Sequence, residues 1–427
     1  MNAVCLVIDG LHRGFLGCCG NAWVGTPGWD RLASEALVLD GVYIDSPDLA
    51  SLYRSYWLGR HAARHGLATG DTGQRAHPLA PAAEHLSLPR RLAERGVATR
   101  LVTDAAEVAD YALAPGFGHI GRLPLEWPRA AVEDLEETHA ARFFAGALDA
   151  LSAARPPYLL WLHAQGMAGP WDAPRELRER YAAEDDPPPP DFVLPPAIQV
   201  PPDADPDLLL GIRQAYAAQV AVIDSCLDLF LNELTKNPHA DSTLLIVVSA
   251  RGFPLGVHGR VGHVPGGTPP LYGDLTNVPC LLRFPNRHGA ADRSHALAQP
   301  ADIYATLLDW FQGDLGGEQA ETGSFSQSLL PLARGEASLR RDRAAIVGAG
   351  GERALRTPAW YARFPSADVT ELYVKPDDRW EINDVASRCG DVAEGMRAAL
   401  TQFESWCAAG AAGELPPLDE VLVRGLE

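Results

Sequence analysis

Short, continuous apolar runs alternate along the chain with longer stretches in which apolar residues recur every three or four positions. That alternation predicts an α/β protein built on a large mixed, mostly parallel sheet flanked by helices. Ala3 to Ile8 is unbroken apolar sequence, as expected of a strand buried on both faces, and it ends in the turn dipeptide Asp9-Gly10. Thr26 and Pro27 read as N-cap and first residue of a helix to Ala36. Leu37 to Ile44 predicts a strand, Leu86 to Arg95 a helix closed by Gly96, and Ala98 to Thr103 the next strand. A helix over Glu133 to Ala153 feeds a strand at Tyr158 to His163. Ile212, Tyr216, Val220, Ile223, Leu227 and Leu231 trace one face of a helix over Leu208 to Leu234, which leads to the strand Thr243 to Ser249. Pro279 to Phe284 predicts one more strand and Pro300 to Phe311 one more helix.

Two stretches break the pattern. Between Glu184 and Asp207 lie prolines 187 to 190, 195, 196, 201, 202 and 206, a composition that suits neither helix interior nor central strand. This 184–207 excursion is a lid or a spacer, and the absence of reactive side chains favours the spacer. From Ala344 the chain turns to short strand candidates at 345–347, 354–356, 360–363 and 372–374, then a helix over Asp391 to Ala408. The expected organisation is a main α/β domain over 1–343 and a small C-terminal α+β subdomain over 344–427.

Charge narrows the partners. Against 36 Lys and Arg stand 55 Asp and Glu, a net charge of −19, which argues against nucleic acid or an anionic membrane surface. No apolar run is long enough to span a bilayer. The chain opens without a basic n-region or a small-residue cleavage site, so a cytoplasmic protein is expected. The seven cysteines are scattered, with Cys18 and Cys19 adjacent and no CxxC pair, and are read as reduced and structural.

A string of short segments then carries a resemblance. Ala3-Val4-Cys5-Leu6-Val7-Ile8-Asp9 opens the chain, and Leu16-Gly17-Cys18-Cys19-Gly20-Asn21 and Thr26-Pro27-Gly28-Trp29-Asp30-Arg31-Leu32-Ala33 follow. Next come Ser46-Pro47 with Ala50-Ser51, Ser55, Gly59-Arg60 and His65-Gly66, and then Gly169-Pro170-Trp171. Tyr216, Val220 and Asp224 lie at helical spacing, and Val278-Pro279 precedes an apolar run and Pro285. Asp302 to Leu308, Ser328 to Leu332, Ala354 to Thr357 and Glu371 to Tyr373 complete the order. In this order the segments resemble the sulfatase family of the alkaline-phosphatase superfamily over nearly the whole chain. The resemblance implies a formylglycine made from Cys or Ser that attacks sulfur, calcium held by carboxylates, and Lys, Arg and His to neutralise charge and protonate the leaving oxygen.

The residues that would do this chemistry are mostly replaced. Alignment on Ser46-Pro47 and Gly59-Arg60 puts Leu49 at the nucleophile and Tyr53 at the motif arginine. Asp9 keeps one metal carboxylate, but Gly10, Ala250 and Arg251 stand at other metal positions, so the metal site is vestigial and an arginine there repels a cation. Ala168 replaces a histidine. The segment Thr103-Asp104-Ala105-Ala106 lacks the expected Lys and His, and 262–268 lacks the last site Lys. No cofactor is expected; calcium would follow only from a different alignment of the site.

Three sharper readings remain beside the degenerate one. Ser51 as nucleophile is one residue out of register, and a serine early in a helix serves as a cap. His258, His263 and Asp9, with His163 on a neighbouring strand, could hold zinc or iron at the sheet edge where α/β proteins bind ligands. Arg54, Arg60 and Arg251 could gather around an oxyanion, although a structural ion pair is the blander reading of Arg60. Residues 250–263 lack the Lys and Ser/Thr of a phosphate loop. The expectation is therefore a pseudo-sulfatase that binds a small anion or a protein partner. The alternative is a divergent sulfate or phosphate ester hydrolase rebuilt around Asp9, Arg54, His258 and His263.

Overall fold

The structure, a computed structural model, describes residues 1–65, 87–263, 268–315, 325–335, 341–411 and 415–426. Gly66, Leu86 and residues 264–267, which figure in the expectations above, lie outside them. In chain order the strands are β1 (Asn2–Ile8), β2 (Leu37–Val42), β3 (Ala98–Thr103), β4 (His119–Arg122), β5 (Tyr158–Ala164), β6 (Ile198–Gln199) and β7 (Thr243–Ser249). They continue with β8 (Arg260–Val261), β9 (Cys280–Arg283), β10 (Arg293–Ala298), β11 (Ala344–Val347), β12 (Arg353–Arg356), β13 (Trp360–Ser366) and β14 (Val369–Val374). The main helices are α1 (Pro27–Glu35), α2 (Leu49–Leu58), α3 (Leu88–Ala93), α4 (His139–Ala153), α5 (Pro206–Lys236), α6 (Pro300–Leu315) and α7 (Gly390–Ala408).

The chain forms two compact units, each discontinuous in sequence. The first comprises Met1–Val38, Leu92–Gly267 and Val278–Arg293; the second comprises Leu39–Arg91, Thr268–Asn277 and Ser294–Glu427. The sequence reading cut the chain once, at 343/344.

In the first unit the strand order β9-β7-β1-β5-β3-β4 makes a mixed, mostly parallel sheet in which only β9 runs antiparallel to its neighbour. Every residue of β1, β5 and β7 is buried, the arrangement their unbroken apolar sequences require. Val4, Leu6 and Ile8, with Leu160, Leu162, Leu245 and Val247, pack one face into a core with Trp29, Phe143, Phe144, Val220, Ile223 and Leu227 from helices α1, α4 and α5.

Three details depart from the sequence reading. Helix α4 begins at His139 rather than Glu133, because the Thr138 side chain caps it by accepting from Ala141 N. Helix α1 does have Thr26 at its N-cap, but the Thr26 hydroxyl makes no bond to its own helix and accepts instead from Gly17 N at 2.8 Å. The open N–H groups of α1 are met from α5, where the Asp224 carboxylate accepts from Gly28 N (3.1 Å) and Trp29 N (2.9 Å). Ser51 is not the cap of α2 either. That role falls to Asp48, whose carboxylate accepts from Ser51 N at 2.8 Å.

The Pro-rich excursion is pinned as a strap. Arg178, fully buried, sends its guanidinium to four carbonyls: Trp171 O (2.5 Å), Ala173 O (3.3 Å), Pro190 O (2.5 Å) and Phe192 O (2.9 Å). Trp171 N adds a bond to Val193 O, and β6 pairs antiparallel with β8. Where the strap passes Gly262, at φ +63°, a Cβ would collide with the Pro196 carbonyl, so this turn requires glycine.

The second unit holds the antiparallel sheet β11-β12-β13-β14, close to the short strands expected after Ala344. Leu355, Trp360, Ala362 and Leu372 of that sheet pack with Met396, Leu400 and Phe403 of α7. No helix among the described residues is long and apolar enough to cross a membrane.

Candidate functional site

Parallel pairing of β1 with β5 and β7 brings three strand ends together at one edge of the sheet. Ile8 lies level with Ala164 and Ser249, so Asp9 follows β1 where Ala250 and Arg251 follow β7. The turn after β1 is tightly built. Asp9 N donates to Ala164 O (3.0 Å) and Met167 N donates to Asp9 O (2.8 Å). Gly10 has φ +74°, and a Cβ there would press on the Met167 and Ala168 backbone at 3.0–3.1 Å. Ala250 N donates to Ile8 O (3.2 Å), while the Ser249 hydroxyl lies 2.7 Å from both Ile8 O and Arg251 O and accepts from Leu11 N. From α5 the Tyr216 hydroxyl accepts from His12 N (2.7 Å) and donates to Gly10 O (2.8 Å), fastening the turn from the other side.

At the centre the Arg251 guanidinium grips the Asp9 carboxylate with both arms, Nε to Oδ1 at 3.0 Å and Nη2 to Oδ2 at 2.7 Å. The side chains are 16% and 3% exposed, so this is a buried, fork-shaped ion pair. Burial pushes the Asp9 pKa up, but the Arg251 charge and hydrogen bonds outweigh it and hold the carboxyl below its ordinary value. Burial lowers the pKa of both His163 and His263, in the case of His263 to about 4, with Arg251 lowering it further and Asp9 opposing. Both imidazoles are therefore neutral near pH 7.

The remaining candidates fall in several places. His163 is fully buried on β5, within reach of the Asp9 charge; separately, the Phe253 and His263 rings meet edge-on at 5.9 Å, and Phe253 lies 5.3 Å from Trp171. His258 sits half-buried in the turn closed by Gly259 N to Gly256 O. Asp104 is a buried hub: it accepts from Gln165 N (2.8 Å) and lies 2.8 Å from His139 Nε2. The sequence signals only a lost Lys and His there; the partnership with His139 was not visible. Ala106 is the exposed first residue of a short helix whose Val108 and Ala109 are buried, and Ala168 ends a half-buried helical turn. In the second unit Leu49 and Tyr53 are buried packing residues of α2, with Tyr53 edge-on to Trp57 at 4.7 Å. Arg54 is buried on the same helix, and Arg60 follows the left-handed Gly59, its carbonyl accepting from Ser55 Oγ.

The donor set does not suit calcium. Of the vestigial positions only Asp9 carries a carboxylate, and both its oxygens are committed to a guanidinium; Gly10 and Ala250 have no donor side chain. Among the described residues no group of three His, Cys, Asp or Glu is placed to hold a metal ion.

Comparison with known proteins agrees with this geometry at the level of fold. The family described as Sulfatase matches residues 1–313. Human iduronate 2-sulfatase is 23% identical over 392 residues, spanning 78% of this chain and 67% of that protein. The phosphonate monoester hydrolase of Agrobacterium radiobacter superposes with a TM-score of 0.71 at 17% identity, covering 96% of both chains. A structure solved with its substrate D-glucosamine-2-N,6-O-disulfate superposes with a TM-score of 0.73 at 16% identity, covering 96% of this chain and 98% of that one.

Proposed function

The chain belongs to the sulfatase family, and we propose that within it this protein is a catalytically degenerate member that serves as a binding or regulatory protein. The observation that carries the reading is the Asp9–Arg251 pair. A carboxylate that would ligate a metal is instead neutralised by a side chain of the same unit. Leu49 supports it: a hydrocarbon can neither become an aldehyde nor attack sulfur, and here it is buried in a helix. The partner is a small anion or a protein, no cofactor is required, and the site of action is the cytoplasm.

The test is turnover of nitrophenyl sulfate and nitrophenyl phosphate by the purified chain, with and without added calcium, alongside metal analysis. The expected result is no turnover above background and no stoichiometric metal. Turnover that disappears in Asp9→Ala would establish the divergent hydrolase instead. Leu49→Cys is expected to remain inactive, because a nucleophile alone does not restore the missing metal ligands.

A further inference from the structure

Deletion of a metal site normally leaves a buried carboxylate without a counter-charge, which the fold cannot tolerate cheaply. Here the counter-charge is covalently attached. Arg251 comes one residue after Ala250, whose N–H is bonded to Ile8 O, so its backbone is fixed beside β1 and its side chain need only fold back. Both guanidinium bonds to Asp9 are of good length, and the pair is almost closed to water.

We propose that the Arg251 guanidinium is a tethered cation seated where the ends of β1 and β7 meet, and that this seat, once the side chain is cut away, is a receptor for small alkylguanidinium ions. The proposal rests on the reading above, that the site has no resident metal. It assigns Arg251 a counter-ion role rather than an oxyanion-binding one: with Asp9 ionised the pair is neutral and draws no anion.

The experiment uses Arg251→Ala in the full chain. The deleted atoms correspond to ethylguanidinium, which is the probe. The variant is expected to melt about 5 °C or more below the wild type, the scale for breaking a buried ion pair. Low-millimolar ethylguanidinium should raise the melting temperature of Arg251→Ala by several degrees and leave that of the wild type unchanged. In Asp9→Asn/Arg251→Ala the ion should have no effect, because the seat has lost its charge. Should Arg251→Ala fail to fold, Asp9→Asn/Arg251→Met, which removes both charges and keeps the volume, should fold and melt within a few degrees of wild type. The proposal fails if Arg251→Ala melts like the wild type, if the ion rescues neither or stabilises all three chains alike, if the charge-free pair also fails to fold, or if calcium raises the wild-type melting temperature. Failure of the functional reading is separate: it would appear as turnover by the wild type, whatever the melting temperatures do.

Discussion

Replacing Arg178 with Met tests how the Pro-rich strap is held. The substitution keeps an unbranched side chain in the same buried space and deletes the donors to Trp171 O, Ala173 O, Pro190 O and Phe192 O. Pro190 and Phe192 are half-buried, so water can replace the lost donor there, but Trp171 and Ala173 are fully buried and their carbonyls would stay unpaired. Two buried, unpaired carbonyls at about 1–3 kcal/mol each set the scale. Burial lowers the Arg178 pKa, the direction expected of a cation held out of water, and within the scale set by the carbonyls a net loss of about 3 kcal/mol is expected. Because the bonds tie one segment, the loss should appear first as local opening. Amide exchange monitored by mass spectrometry should quicken roughly 100-fold over 190–200, with β1 and β7 little changed. Protease cleavage within 184–207 should accelerate in parallel. Unchanged exchange over 190–200 in Arg178→Met would refute the reasoning, since it would mean that Val193 and the β6–β8 pairing hold the strap without the guanidinium.

Other outcomes follow from the same site. Tyr216→Phe removes the hydroxyl bridge between His12 N and Gly10 O. It should cost about 1–3 kcal/mol in urea unfolding and speed amide exchange at 10–12, the turn that carries Asp9. Burial raises the Asp224 pKa to about 6 against the lowering effect of its bonds to Trp29 and Gly28. The folded chain therefore keeps this proton above the ordinary value near 4, so the Asp224 contribution to stability is greatest below about pH 4 and declines as pH rises towards 6. In Asp224→Asn that decline, on the order of 2–3 kcal/mol, should vanish from the pH dependence of unfolding; an unchanged slope would show that Asp224 does not titrate there.

Much of the architecture could be read in the residues because it follows local rules. The unbroken apolar runs of β1, β5 and β7 leave no exposed face, and the apolar spacing from Ile212 to Leu231 marks one side of α5. The ordered segments of the resemblance likewise aligned Leu49, Ala250 and Arg251 with the positions where that family's catalytic groups are expected. Boundaries were less legible. The start of α4 and the caps of α1 and α2 depend on which nearby side chain wins the free N–H groups, and Asp224 reaches α1 from 196 positions along the chain.

What the tertiary structure alone decided is how the charges are partnered. Sequence showed Asp9 as a surviving ligand and Arg251 as a cation that would repel calcium or join an anion pocket. Parallel pairing of β1 with β7 puts the two, 242 positions apart, into one bidentate contact. The fold also joins Asp104 to His139, and Arg178 to a strap read as a spacer. The physical reason is that apolar periodicity reports a solvent-averaged property of each segment and survives in one dimension. A buried ion pair depends on a few ångströms and a direction, which exist only after the sheet has set the register of its strands.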